Sequence, residues 1–510
     1  MKRSLAVFAL VVGLCLVAAG SARAQAAPIT FYFGASPSDT VIGLAPSIVS
    51  TIPVRLTNPA YSSYPYWRPQ HARLTLHFDP ARIEVLGFAA VPGGFYTIDS
   101  AIIGSGVATV VADGEVSWAS DAPALNVRAR LSAGASDGAY LWIQPDTVVG
   151  YSPYYPPEGL SGRSLPGEAC HATQVWGDVD GDGDTDSRDA LVTLSAAVGL
   201  PVEGFDLPLG DVDLDGLTNS RDALMMLSYA IDLPISGTNR LAVGIPDVCP
   251  GLTAPGETVV FKRGGSLGGI YRLDAASTTP VAVTTNPGDG YPSLNAAGTW
   301  VAFQCPGATF QQVCRVDLDG NNRIMLTDTI GHTKPEWSPD GTRIAFLQEP
   351  FGYAYLMDSV GAGRATVYPQ TATANVSWTR DGTGLLMSGS ALWVTRLDTA
   401  RADTILSSLS VLPPLRHSPD GGTVAFKLSD GNLWTAPFSV GATSYTRRTP
   451  FLTYLIGFDW GPEGVVFAMP ARDGTQSLWM FQGGFDGPLV RLTKPGAGEE
   501  DSDPAFRRNP

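Results

Sequence analysis

Charge is scarce in this 510-residue chain: Asp, Glu, Lys and Arg make up 16% of it, and 33 basic residues face 48 acidic ones, for a formal net charge of −15. An acidic chain without a basic tract lacks the electrostatic footprint that holds phosphate backbones, which argues against nucleic acid as a partner. Histidine is rarer still. The five residues His71, His77, His171, His332 and His417 show none of the close spacing of a zinc site. Past the N-terminal segment no apolar run has the roughly 20 residues that cross a bilayer, so no membrane span is expected in the processed chain. Two segments match Gly-x-Ser-x-Gly, around Ser136 and around Ser266. A nucleophile elbow must lead into a helix. Both are flanked instead by strand-like sequence and read as hairpin turns, so no catalytic residue is assigned. A glycosidase carboxylate pair is assembled only by folding and leaves no sequence signature.

What is present starts with an export signal. Lys2 and Arg3 precede an apolar run over 5–19, and Ala22-Arg23-Ala24 has the small-x-small pattern of a cleavage site. Residues 1–24 are therefore expected to leave as a signal peptide, and the protein to be secreted, either extracellular or periplasmic. Cys15 leaves with them. Cys170, Cys249, Cys305 and Cys314 remain, an even number that in an exported chain favours two disulfides. The simplest of the three possible pairings joins Cys170 to Cys249 and Cys305 to Cys314. With 57 glycines and 40 prolines punctuating short alternating stretches, the fold class expected is a mainly β, multidomain protein.

The centre of the chain differs. Residues 178–189 read Asp-Val-Asp-Gly-Asp-Gly-Asp-Thr-Asp-Ser-Arg-Asp, and residues 211–222 read Asp-Val-Asp-Leu-Asp-Gly-Leu-Thr-Asn-Ser-Arg-Asp. A twelve-residue calcium loop takes oxygen ligands from positions 1, 3, 5, 7, 9 and 12, with glycine at position 6 for the sharp turn. Asp178, Asp180, Asp182 and Asp189 fill positions 1, 3, 5 and 12 of one loop; Asp211, Asp213, Asp215 and Asp222 fill them in the other. Gly183 and Gly216 stand at position 6. Asp184 and Leu217 stand at position 7, which donates a backbone carbonyl, and Asp186 and Asn219 at position 9. Two Ca2+ ions are the expected cofactors. Carboxylates so closely spaced would repel without a cation, and hard oxygen donors select calcium over softer metals. Behind each loop apolar residues recur at helical spacing, Leu191, Leu194 and Val198, then Leu224, Leu227 and Ile231. Ser187 and Ser220 are the expected caps, with Gly199, Pro201 and Pro234 as stops. No entering helix precedes either loop.

A duplicated loop-plus-exit-helix resembles the type I dockerin module over 177–233. In that family, loop positions 10 and 11 and the following helix contact a cohesin partner. The resemblance places that role on Ser187, Arg188, Ser220 and Arg221, and identical pairs in both copies imply two symmetry-related binding orientations. The alternative, a structural calcium staple without a partner, stays open. Before the module, residues 28–155 resemble a cohesin-like or carbohydrate-binding β-sandwich, on a strand, Asp79-Pro80, strand segment within 72–88. Tyr61, Tyr64, Tyr66 and Trp67 cluster in one of its loops. After the module, Trp337-Ser338-Pro339-Asp340-Gly341 and weaker copies near Pro292, Ser377, His417 and Asp459 recur about every 40 residues, which resembles the TolB-like β-propeller. Asp503-Pro504-Ala505-Phe506 would open a last blade that 258–273 completes, which makes six blades.

The expected organisation is a signal peptide (1–24), a cohesin-like β-sandwich (28–155), a linker (156–176), a dockerin-like α module (177–235), a second linker (236–255) and a six-bladed propeller (256–510). The expected function is calcium-binding, non-catalytic assembly or recognition, associated through the dockerin resemblance with polysaccharide degradation. A cohesin-like domain is the expected partner, whether on another protein or on this chain itself, with a protein or glycan on the propeller face. A carbohydrate-active enzyme, a glycoside hydrolase or its glycan-binding subunit with its site on the propeller, is the alternative.

Overall fold

The computed structural model describes residues 29–507 apart from short segments, the longest being 35–40, 58–67, 117–121, 236–240, 368–372 and 450–456. The signal segment, the aromatic loop Tyr61 to Trp67, and Ser136 and Ser266 lie outside the described residues. The strands that flank the two serines, 122–131 with 139–152 and 259–263 with 269–273, place both segments between strands rather than ahead of a helix.

Two sheets enclose the N-terminal core. One orders the strands Gly162–Ser164, Ile29–Phe33, Ser50–Thr57, Ala122–Leu131 and Ile83–Ala89. The other runs from Gly244–Val248 through Val41–Leu44, Gly167–Val175, Ala139–Ser152, Arg68–His77 and Val107–Asp113 to Thr97–Ile103. Period-two alternation sets the facing. In Ser50–Thr57 every second side chain is buried, so Ile52, Val54 and Leu56 meet Leu74, Leu76, Val110, Leu141 and Ile143 of the opposite sheet in one apolar cluster. Each such burial contributes about 1.5–3 kcal/mol. The Asp79-Pro80 turn closes as its sequence requires, with the Arg82 and Ile83 amides donating to the Asp79 carbonyl at 3.0 and 2.8 Å.

Both segments expected as linkers carry strands. Tyr155–Gly159, Gly162–Ser164 and Gly167–Val175 lie within 155–175, and Gly244–Val248 returns after the helical module to pair antiparallel with Gly167–Val175. Cys170 and Cys249 are disulfide-bonded beside this pairing. The region of the two acidic loops is therefore an insertion into a β-hairpin rather than a bead between linkers. Prolines at 156 and 157 and short strand lengths hide the alternation that would have marked these strands.

The C-terminal half is a β-propeller. Five consecutive four-stranded antiparallel sheets begin at Gly290–Leu294, His332–Trp337, Asn375–Trp378, Leu412–His417 and Phe458–Gly461. A further sheet joins Asp501–Phe506 to Val259–Arg263, Gly269–Leu273 and Val281–Ala282, so the two ends of this region share one sheet and leave no seam for edge-to-edge pairing. The repeated turn has a local cause. Gly341 takes φ 70°, its amide donates to the Ser338 carbonyl at 2.9 Å, and Asp340 Oδ1 accepts from the Thr342 amide at 3.0 Å. Trp337 then packs with Ile344 and Phe346 of its own sheet and Ala302 and Val313 of the preceding one. Cys305 and Cys314 are bonded across the strands Trp300–Pro306 and Gln311–Asp317.

An aromatic joint ties the two halves. Tyr140 and Trp142 leave the N-terminal sheet and bury against Phe467, Trp479, Phe481 and Phe485 of the propeller. Trp142 stacks on His77 with ring centroids 3.7 Å apart, and Arg447 Nη2 donates to the Pro145 carbonyl at 3.0 Å. Burial pushes the His77 imidazole down to about 4, against an opposing pull from Asp146 and Asp486. His332, buried in the propeller, and His417, half-buried there, are likewise pushed down to about 4 by desolvation. A folded-state value below the unfolded one means that the unfolded chain binds more protons between about 6.5 and 4. This stabilisation is complete above about pH 6.5 and is lost as pH falls toward 4. Urea titrations over that window should show wild type losing stability relative to His77→Gln as pH falls; parallel curves would remove His77 from the joint.

Candidate metal centre

Each acidic loop is closed by its last carboxylate. Asp189 Oδ1 accepts from the Val179 and Asp180 amides at 2.7 and 3.0 Å, while Oδ2 accepts from the Asp186 amide at 2.8 Å. Asp222 repeats the pattern on the amides of Val212, Asp213 and Asn219 at 3.0, 3.3 and 2.9 Å. Asx turns stiffen the rest of each loop. Asp180 Oδ1 accepts from Asp182 N at 3.1 Å, Asp213 Oδ1 from Asp215 N at 3.2 Å, and Asp215 Oδ1 from Leu217 N at 2.9 Å. Gly183 and Gly216 take φ 103° and 87°, a backbone conformation that side chains resist, as position 6 of the loop requires.

The helices that follow, Ser187–Ala197 and Ser220–Ala230, are not capped by serine as expected. Ser187 and Ser220 are their first helical residues. The caps are Asp186 and Asn219, whose side chains accept from the amides of Arg188 and Arg221, each completing a capping box with Asp189 or Asp222. A hydroxyl in the first turn loses to a longer oxygen-bearing side chain one residue earlier, already in extended backbone.

The donor atoms gather in three groups within 4.8 Å: Asp178, Asp180 and Asp189; Asp184, Asp186 and Asp189; and Asp211, Asp213 and Asp222. Asp182 and Asp215, at position 5, stand outside these groups, and Asp182 Oδ2 lies 3.7 Å from Arg188 Nη1. Whether a cation suits the loops is decided by the oxygens left over. Asp178 Oδ1 and Asp211 Oδ1 occupy the same position in the two loops, and both are buried without a hydrogen-bond donor. Asp180 Oδ2 and Asp213 Oδ2 meet only guanidinium charge, from Arg188 Nε at 3.0 Å and Arg221 Nη1 at 2.8 Å, in ion pairs that lack hydrogen-bond alignment. A buried unpaired acceptor costs about 1–3 kcal/mol, more when charged. Burial accordingly pushes the Asp178 and Asp222 carboxyls up, and Asp189 up to about 6. All donors are oxygens, and the residues fit a hard divalent cation in each loop.

The apolar stripe seen in the sequence faces outward. Leu191, Leu194 and Val198 of one helix, and Leu224, Leu227 and Ile231 of the other, are 42–65% exposed. The packed faces are instead Ala190, Val192 and Thr193 against Ala223, Met225 and Met226. Helical phase explains this. Asp189 must turn into the loop, which carries Val192 and Thr193, three and four residues on, inward with it, and throws Leu191 and Leu194 to the far side. That phase argument was available from the sequence. Ser187, Arg188, Ser220 and Arg221 are all exposed, at the head of the two stripes.

No family model and no curated protein matches the chain. Among solved structures it is similar to TolB from Acinetobacter baumannii, at 14% identity and a TM-score of 0.43, over 73% of this chain and 80% of that one. It is also similar to a putative TolB from Agrobacterium tumefaciens, at 16% identity and a TM-score of 0.35, over 49% of this chain and 98% of that one. A chain of a nidogen/laminin complex matches at 11% identity and a TM-score of 0.40, over 49% of this chain and 97% of that one.

Calorimetric titration of the purified protein should register two Ca2+ ions per chain. Asp178→Ala combined with Asp211→Ala removes the buried unpaired oxygen from both loops and should weaken uptake by ten-fold or more; an unchanged isotherm would remove the metal assignment.

Proposed function

We propose that this is an exported, calcium-binding, non-catalytic assembly protein, in which a dockerin-like module engages a cohesin-type domain. The observation that carries this reading is the pair of uncovered apolar stripes, one on each helix, above two loops with the same orphaned carboxylate oxygen. A module built only as a staple would turn its leucines inward. Here six large apolar side chains stay in water on a module of two 11-residue helices. Clustered exposed apolar surface rimmed by charge is the signature of a protein contact. Bound Ca2+ would be held by Asp178, Asp180, Asp182, Asp184, Asp186 and Asp189 in one loop, and by Asp211, Asp213, Asp215, Leu217, Asn219 and Asp222 in the other. It supplies the charge that lets these carboxylates stay ionised while the loop braces its helix.

Duplication supports two equivalent orientations. Ser187-Arg188 and Ser220-Arg221 stand at equivalent points, so a partner that reads one helix can read the other after a half-turn. We read the N-terminal two-sheet unit as a cohesin-like β-sandwich and each four-stranded sheet of the propeller as one of six blades. The two disulfides suit an oxidising compartment, periplasmic or extracellular.

The test is binding to a panel of immobilised type I cohesin domains and to the immobilised protein itself, in Ca2+ and in chelator. Calcium-dependent binding is expected. Leu194→Asp or Leu227→Asp alone should leave about half of the productive orientations, a roughly two-fold loss, whereas the double variant should lose binding altogether. Failure to bind any of these surfaces in calcium would sink the assembly role. Product release from a polysaccharide panel would replace it with the hydrolase reading.

A further inference from the structure

The propeller axis holds a cavity lined by none of the acidic-loop residues. Three residues before Leu294, Trp337, Trp378, His417, Trp460 and Phe506, the six sheets supply Tyr291, Lys334, Asn375, Pro414, Gly457 and Asp503. All six line this cavity of about 190 Å³. Tyr291, Lys334 and Asp503 are held at φ 49°, 50° and 48°, and strand register slips beside each of them. A bulge re-aims a side chain, and an L-residue at positive φ persists only where the surrounding fold insists on it; both features concentrate at functional sites.

The charges in and behind this wall balance. Arg416 is matched by Glu336 Oε2 at 3.0 Å and by Asp459 Oδ1 at 2.6 Å. Asp503 stands among Lys262, Lys427 and Lys334, and Glu349 acts on Lys334. Lys262, Lys334, Lys427 and Arg416 are thus set against Glu336, Glu349, Asp459 and Asp503, each beside a group of opposite sign. A charged guest would bring an uncompensated charge into a partly desolvated space. A zwitterion would find no separated poles.

What the wall leaves unused is neutral. Asn375 is 5% exposed, and its backbone carbonyl accepts from Thr373 Oγ1 at 2.6 Å. Its side-chain Nδ2 is buried with no acceptor among the described residues. Buried polar groups are nearly always hydrogen-bonded, so an unmet donor in a cavity wall points to an acceptor oxygen on a guest. Apolar surface accompanies it. Pro413, Phe458 and Pro504 line the cavity, and the Tyr291 ring is exposed beside it. Phe351, exposed and stacked on Tyr353, lies two residues beyond Glu349, and exposed Phe310 lies across Gly331 from it. The loops that carry these aromatics stand at the end of the strands where Tyr291 and Lys334 lie, as the pairings of Gly290 with Gln304 and of His332 with Gln348 require.

We propose that the axial cavity binds a neutral sugar ring, its hydroxyls between Asn375 and the paired charges and its apolar face against Tyr291 and the wall prolines. A hydroxyl both donates and accepts, so it serves amide, ammonium and carboxylate alike without altering the charge balance. The volume equals about six waters at roughly 30 Å³ each, which one hexose with its hydroxyl groups replaces. The ring has two possible sources, a free monosaccharide or the end of a chain that continues over Phe351 and Phe310.

Ligand-observed NMR and calorimetry on the full chain in Ca2+ should compare glucose, galactose and mannose with glucuronate, glucosamine and zwitterionic glycine. At least one neutral hexose is expected to bind tighter than all three, by about five-fold. Asn375→Leu removes the unmet donor and should lower that affinity about five-fold, while leaving thermal stability unchanged or raised, the opposite of what a purely structural asparagine would show. Tyr291→Gly, which suits the positive φ, should lower the affinity as much. Cellobiose and the 4-linked galactobiose and mannobiose separate the sources: a disaccharide advantage that shrinks in Phe351→Ala indicates a chain end, and no advantage a free sugar. If neither cavity variant folds, the neutral-to-charged ratio on wild type decides alone. Equal or tighter binding of glucuronate, glucosamine or glycine, no binding of any neutral sugar at tens of millimolar, or an undiminished affinity in a folded double variant overturns the proposal.

Discussion

The carboxylate at the end of each acidic loop holds the module together. Asp189 and Asp222 are fully buried, and each accepts three backbone amides while completing the cap of the helix behind it. Loop closure, helix start and helix phase are consequently one event. Because the side chain must point into its loop, the next turn of helix is oriented too, and with it the choice of which apolar residues pack and which remain in water. At the first position of each loop one oxygen stays orphaned: Asp211 Oδ2 accepts from the Gly216 amide at 3.0 Å, while Asp178 Oδ1 and Asp211 Oδ1 have no donor.

The insertion of this module into a hairpin changes what it can present. Gly167–Val175 and Gly244–Val248 are neighbours in a sheet and are joined by a disulfide alongside, so both ends of the module are held. Tyr229 of the second helix packs on Ala45 and Val175, and Gln174 Nε2 donates to Asp206 at 3.1 Å, fastening its body as well. A surface carried in this way would lose little orientational freedom on binding a partner, and the associated entropic penalty would be correspondingly small. The aromatic joint around Trp142 extends that rigidity to the propeller.

The propeller solves a separate problem, that of presenting chemically different side chains at one level from repeated strands. Repetition sets the level, while register slips and positive φ at Tyr291, Lys334 and Asp503, each followed by proline, turn these residues toward the axis. The result is a cavity lined by chemically different residues at equivalent places in the repeat.

Legibility followed the range of the interactions. The two acidic loops, their position-6 glycines and the helix behind each were readable because they are local and duplicated, and so was the propeller turn, whose Ser-Pro-Asp-Gly chemistry closes within four residues. The caps were misplaced by one residue because Ser187 and Asp186 compete for the same amides, and only backbone dihedrals decide between them. The strands at 167–175 and 244–248 were taken for linkers because their pairing joins residues some 70 apart, across an inserted module, with no alternation to announce it. By itself the sequence determined the placing of the loop carboxylates, the repeat lengths and the turn chemistry, since each depends on neighbours along the chain. Only the tertiary structure decided that Lys334, Lys427 and Asp503 line one cavity, because that outcome depends on side chains that approach through space from separate sheets, and no local spacing encodes it.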